Sequence, residues 1–240
     1  MSVPAEGMTR SPMVPTLVKR ATRRLRVGFL TPTLLMGGAE RWMLSLARCC
    51  DRERIEWTGT ALSQGAPARA ELCREMSAFM PVYAGLGSGP PQFCPYVTWC
   101  VSAQAALDEV LKEADVLIAW GLPHLAPHVR RFGGAVVLVS HGSGEWAEGT
   151  VRSSQSGATH FVAVSQAALR AFSKRVRSQA TVLHNGIDVQ RCTPRVSREE
   201  VRAAWGFGNH HQLIGYIGRY SWEKNAEAAA RAAVRLGVLL

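Results

Sequence analysis

Two adjacent glycines, one histidine and two cations, each set just behind a short apolar run, are the residues of this chain best placed to do chemistry. Thr31-Pro-Thr-Leu-Leu-Met-Gly-Gly-Ala-Glu40 follows the apolar run 26–30 and leads into a helical pattern. Gly37 and Gly38 let backbone come close to a ligand, and a helix N-terminus there offers free N–H groups to an anion. The bland alternative is a tight strand-to-helix connection, and the dinucleotide fingerprint G-x-G-x-x-G is absent from the sequence. His141, in Val139-Ser-His-Gly-Ser-Gly144, stands where another apolar run stops, with small residues behind it. It is expected at a strand end, open to a ligand, and its alternative is a polar loop residue capping a turn. Phe161-Val-Ala-Val-Ser165 ends in a hydroxyl that reads as a helix N-cap. Leu183-His-Asn-Gly-Ile-Asp188 and Ile214-Gly-Tyr-Ile-Gly-Arg-Tyr-Ser-Trp-Glu-Lys-Asn225 bring in Asn185, Arg219 and Lys224.

Such residues matter only if a scaffold gathers them. From residue 26 onward apolar runs alternate with helical patterns, the signature of β-α units around a parallel sheet. Strands are expected at 26–30, 56–63, 81–83, 115–119, 135–140, 160–164, 181–183 and 213–217. Apolar positions spaced three and four apart predict helices over 38–50, 68–78, 97–113, 123–131, 166–174, 197–205 and 223–236. Ser165 and Ser197 stand where N-caps belong, and Asp115 where a helix gives way to a strand. The expected class is α/β: a Rossmann-like parallel sheet with helices on both faces, followed by an incomplete second domain of the same kind. Open parallel sheets bind ligands at the carboxyl ends of their strands, where all the residues named above fall.

Composition narrows the function. The chain has 240 residues, 47% of them hydrophobic and 19% charged, enough for one substantial core and the beginning of a second. No apolar run approaches the roughly 18 residues of a membrane span, and the Pro-, Ser- and Thr-rich start lacks the apolar core of a secretory signal. A cytoplasmic protein is expected. Six cysteines without C-x-x-C spacing read as free thiols, and His124 and His128, four apart but interrupted by Pro127, have no partner at metal-ligand spacing. No metal is expected.

The net charge is +10, and residues 1–26 carry Arg10, Lys19, Arg20, Arg23, Arg24 and Arg26 against Glu6 alone. This end reads as a solvated basic leader over 1–25. The functional alternative is peripheral contact of Lys19, Arg20, Arg23 and Arg24 with an anionic inner membrane face. Leu17, Val18 and Leu25 are too few for a strong amphipathic anchor. No basic stripe interleaved with aromatics supports nucleic-acid binding. Trp42 and Trp120 read as packing residues, with Trp120 near enough to a strand end to reach a ligand.

Asn-Gly-Ile-Asp at a strand end, followed some 30 residues later by a strand running into Gly-Arg-x-x-x-x-Lys, resembles the hinge and donor-phosphate loop of the retaining, GT-B family 4 glycosyltransferases. The Gly37-Gly38-Ala39-Glu40 loop, the His141 strand end and the Val164-Ser165 strand end fall in the family's order, extending the match over about residues 26–230. The resemblance implies two Rossmann-like domains facing each other, no metal or other cofactor, and transfer of a hexosyl group from a nucleotide-diphosphate sugar to an acceptor hydroxyl on a sugar, lipid or polysaccharide precursor. It assigns Gly37, Gly38, Asn185, Arg219 and Lys224 to donor binding and His141, Arg219 and Lys224 to catalysis. Residues 26–190 correspond to the acceptor-side domain and 191–240 to a linker and the start of the donor-binding domain.

The sequence departs from the family in three places. The stretch up to Leu240 lacks the family's E-x7-E pair, Trp222 replaces a common Pro, and Asn225 replaces the usual Gly. The expectation is therefore a truncated enzyme, inactive as this piece alone. The alternative is a non-catalytic module that binds an acceptor or a partner.

Overall fold

The computed structural model of the chain describes residues 23–35, 37–63, 69–86, 94–121, 126–142, 144–209, 212–218, 220 and 224–237. The chain divides into two compact units, the second being Asp188–Leu240.

In the first unit the strands are β1 (Leu25–Thr31), β2 (Ile55–Leu62), β3 (Val82–Gly85), β4 (Thr98–Cys100), β5 (Val116–Ala119), β6 (Ala135–Ser140), β7 (His160–Ala163) and β8 (Thr181–Val182). They form one sheet in the order β4-β3-β2-β1-β5-β6-β7-β8, and every pairing is parallel. The expected α/β sheet with helices on both faces is what the chain builds. Adjacent residues of β1 show why its strands are continuously apolar: Phe29 points into one buried layer and Leu30 into the other. The Phe29 layer is closed by Met43, Leu44 and Ala47 of α1 (Gly38–Cys49) and by Leu72, Cys73 and Met76 of α2 (Ala70–Ser77). The Leu30 layer is closed by Leu107 and Val110 of α3 (Ala103–Leu111), Val129 of α4 (Ala126–Val129), Val151 of α5 (Glu145–Ser154) and Ala168 of α6 (Gln166–Leu169).

Gly28 has a packing reason. A Cβ there would come within 2.3 Å of Val110 Cγ1, so α3 rests directly on the β1 backbone. At the same place β2 bulges, Gly28 pairing with Gly59 instead of Thr58.

Several expected elements differ. The segment expected as one helix over 97–113 is β4 followed by α3. Thr98-Trp-Cys suits a strand, and the Ser102 hydroxyl caps α3 by accepting from the Ala105 N–H at 3.1 Å. The helix expected over 166–174 is two short pieces, α6 and α7 (Lys174–Arg177). Phe172, fully buried in the core, sits between them, and the chain gives up helix there to sink that ring. Helix α5 escaped sequence reading because Gly149 interrupts its pattern. Of the helix expected over 123–131, residues 123–125 lie outside the described residues.

The N-cap at Ser165 is present, its hydroxyl accepting from the Ala168 N–H at 3.0 Å. All six cysteines are free. Arg23 and Arg24, counted with the leader in sequence, are tied to the fold. Arg23 forms a two-pronged pair with Asp115 at 2.9 Å, and Arg24 reaches Glu56 at 2.9 Å. Lys19 and Arg20 lie outside the described residues.

In the second unit, α8 (Val189–Cys192), α9 (Arg198–Ala204) and α10 (Ala226–Leu236) are joined by irregular chain. Ser197 and Glu200 close a reciprocal capping box at the start of α9, as the Ser197 N-cap predicts. The strand expected over 213–217 is absent: only Leu213 makes a single bridge, and Ile217 is 101% exposed. A strand needs a neighbour for its N–H and C=O groups, and among the described residues this unit supplies none. No helix among the described residues is long and apolar enough to cross a membrane.

Candidate functional site

Strand order decides which loops meet. Strands β2, β3 and β4 run away from β1 on one side, and β5 to β8 on the other, so the order reverses between β1 and β5. This is the switch point at which open parallel sheets leave a crevice beyond their carboxyl ends. Thr31 closes β1, Trp120 follows β5 and His141 follows β6, so all three stand at this corner, with α1 beginning just beyond β1. No sequence motif encodes strand order, which is why Thr31, Trp42 and Trp120 were not legible as a group.

His141 is held by aromatic rings. Its imidazole packs edge-to-face on Trp42 of α1, with ring centres 4.8 Å apart, and on Trp120, 5.8 Å away. Trp42 in turn meets the buried Phe29 ring at 6.5 Å. The Trp120 indole N–H donates to the Thr31 hydroxyl at 2.9 Å, and that hydroxyl donates to the Thr33 carbonyl at 3.0 Å. Burial pushes the His141 pKa down to about 4, because charging the ring would strip a cation of its water. The ring is neutral throughout the physiological range, and its Nε2 is buried without a hydrogen-bond partner.

At the start of α1 the two glycines divide the work. A Cβ on Gly37 would lie 2.4 Å from Glu40 Oε2, so Gly37 makes room for a side chain of its own helix instead of a ligand. A Cβ on Gly38 would meet nothing within 4 Å, and Gly38 is exposed. Close approach by a ligand is therefore open at Gly38. Glu40, missed as a site residue in the sequence, is 5% exposed. Burial raises its carboxyl pKa, while its own backbone N–H and the Thr33 hydroxyl, donating at 3.4 Å, pull the other way. A carboxylate near a helix N-terminus is favoured by the dipole, and it shares the anion-seeking end of α1 with whatever binds beside Gly38.

The remaining site residues belong to later segments of the chain. Asn185 is exposed in the chain after β8, two residues before the division between the units. Lys224, also exposed, belongs to the second unit, where its carbonyl accepts from the Tyr216 hydroxyl at 3.2 Å. Asn225 takes the left-handed conformation, φ 53° and ψ 43°, while its side chain caps α10. It thus adopts the backbone shape a glycine would allow, as asparagine can. Arg219 and Trp222 lie outside the described residues.

The family model described as Glycosyltransferase Family 4 matches residues 36–191, more than half of the chain, from the loop before α1 through α8. Among curated proteins no match is found. A family match that takes in both the Gly38 helix start and His141 makes this chain a member of glycosyltransferase family 4, a transferase of glycosyl groups.

Proposed function

We propose that the chain is the acceptor-side part of a retaining hexosyltransferase that takes its sugar from a nucleotide-diphosphate sugar and passes it to an acceptor hydroxyl. The observation that carries this reading is the meeting, at one switch point, of an open helix start at Gly38 and a neutral, ring-held His141. In the reaction the anomeric C–O bond to the diphosphate breaks. The acceptor oxygen bonds to the same carbon, the diphosphate takes the electrons of the broken bond as added negative charge, and the acceptor's proton passes to the departing diphosphate. The N–H groups and dipole at Gly38 favour that charge. A neutral imidazole orients a sugar hydroxyl without repelling the positive charge that builds on the ring carbon, as an imidazolium would.

In the second unit, Lys224, which is exposed, and Arg219 supply fixed positive charge to the leaving group, in the role a metal ion has elsewhere. Asn185, in the chain after β8, assists donor binding. No cofactor belongs to this reading, and its setting is the cytoplasm. The acceptor is a hydroxyl on a sugar, lipid or polysaccharide precursor.

Calorimetric titration with UDP- and GDP-sugars tests this directly. Saturable binding is expected, weakened about tenfold or more by His141→Ala, a change of roughly 1.4 kcal/mol. In a turnover assay of a version extended by a complete donor-binding domain, Arg219→Ala and Lys224→Ala should each lower the rate by about 10²–10³-fold. A silent titration with every nucleotide sugar would remove the donor from the reading. The rival, a non-catalytic binding module, draws on the apolar residues Ile217 and Tyr220, which the second unit leaves 101% and 94% exposed. It predicts that silence.

A further inference from the structure

We propose a second binding site on the first unit: a cleft between the 3-10 turn Gln155–Gly157 and α7 that takes the phosphate group of a phosphate ester. It lies at the opposite end of the sheet from His141 and does not rest on the function proposed above.

Topology sets its place. The turn comes shortly before β7, and α7 shortly before β8. In a parallel sheet the segments that enter strands lie at the amino ends, whereas Thr31, Trp120 and His141 lie at or beyond the carboxyl ends. The cavity between turn and helix measures about 420 Å³, within the range of small-molecule sites. Phe161 and Val176, both packed against the Leu30 layer, give it an apolar side. Gln155, Ser156, Ser173, Arg175 and Gln179 supply the rest.

Those polar groups are arranged as donors. Ser173 gives Gln155 Oε1 its backbone N–H at 3.4 Å and its hydroxyl at 2.8 Å. A backbone N–H can only donate, so the amide oxygen is spent on Ser173, and Nε2 with its two hydrogens has no partner among the described residues. The exposed Arg175 guanidinium makes no hydrogen bond or ion pair among the described residues, and no Asp or Glu among them lines the cavity. Arg130 brings a further cation to the rim, its Nε donating to the Ser156 carbonyl at 3.1 Å. The surrounding charge has the same sign. Residues 126–180 hold seven Lys and Arg against Glu145 and Glu148 alone, while residues 23–125 hold ten of each sign. Both glutamates stand in the first turn of α5, the end away from Gln155, and Glu148 is paired with Arg152 at 2.8 Å. A phosphate ester supplies the negative charge and acceptor oxygens that this set lacks. A neutral ligand would leave Arg175 unanswered, and a divalent cation would meet no carboxylate.

Two probes read the site in the full chain: calorimetric titration with glycerol 3-phosphate, and flotation with phosphatidylcholine vesicles made with and without phosphatidylglycerol. Saturable binding is expected, weakened about tenfold or more by Arg175→Ala. Gln155→Glu keeps the acceptor for Ser173 and replaces the free donor by a negative oxygen, so it should abolish binding. Arg170→Ala removes the same charge outside the cavity and should cost far less. Binding of glycerol 3-phosphate assigns a soluble ester; binding only of vesicles that contain phosphatidylglycerol, lost in Arg175→Ala and Gln155→Glu, assigns a lipid headgroup. Binding of neither probe, or binding indifferent to Arg175→Ala and Gln155→Glu, overturns the site. An Arg170→Ala loss equal to that of Arg175→Ala overturns it too, leaving a diffuse basic surface.

Discussion

Two titratable side chains beyond the carboxyl ends of the strands, His141 and Glu40, are linked to stability with opposite signs. The His141 pKa is pushed down to about 4 from the ordinary 6.5 by burial. The unfolded chain therefore takes up this proton first as acid is added. Stability supplied by the neutral ring is complete above the unfolded value, declines as pH falls toward about 4, and amounts to on the order of 3 kcal/mol. His141→Gln should flatten the fall in melting temperature between neutral pH and pH 4; an undiminished fall would show that other groups carry it. Glu40 runs the other way. Its raised pKa means that the folded state holds the proton longer than the unfolded chain, so stability drops as pH rises through the carboxylate range. Glu40→Gln should raise the melting temperature at pH 7 and leave it nearly unchanged at pH 4. Thermal melts at the two pH values check this, and equal effects at both would point to a packing change. Of these residues, His141 and Gly38 were legible as site candidates because each follows an apolar run. Glu40 was not, since an acidic residue in the first turn of a helix is common on dipole grounds alone.

Elements were legible where pattern and capping agree. The Ser165 and Ser197 caps and the strands around them follow from residue type and spacing. Elsewhere tertiary burial overrode local pattern. Phe172 is the sharpest instance, since a helical stretch breaks between α6 and α7 to bury one ring, which stacks edge-to-face on Phe161 at 5.6 Å. Phe172→Ala should cost about 3–5 kcal/mol by chemical denaturation. A loss below about 1 kcal/mol would mean that the break has another origin. The strand expected over 213–217 failed for the opposite reason. Its apolar run is real, but a strand is a property of a pair, and the described part of the second unit offers no second edge.

At the scale of the whole molecule, the sequence read the fold class and the family but could not read strand order, which places β1, β5 and β6 side by side and so assembles the corner. It also assigned Arg23 and Arg24 to a solvated leader, where the fold uses them to fasten the start of its first strand. The Arg23 guanidinium, with the Arg26 backbone N–H, holds the Asp115 carboxyl down to about 2. A depressed carboxylate stabilises above its unfolded value and loses that contribution as pH falls through the folded one. Asp115→Asn should therefore lower the melting temperature at pH 7 and have a shrinking effect toward pH 2, measured by circular dichroism. A constant effect across that range would assign the loss to hydrogen bonding alone. The rings around His141 carry one more consequence. An imidazolium quenches indole emission by accepting an electron from the excited ring, whereas a neutral imidazole does so weakly. With Trp42 and Trp120 both in contact with His141, protonation of one side chain becomes a change in the brightness of the protein, and tryptophan fluorescence can report the state of this corner without any added label.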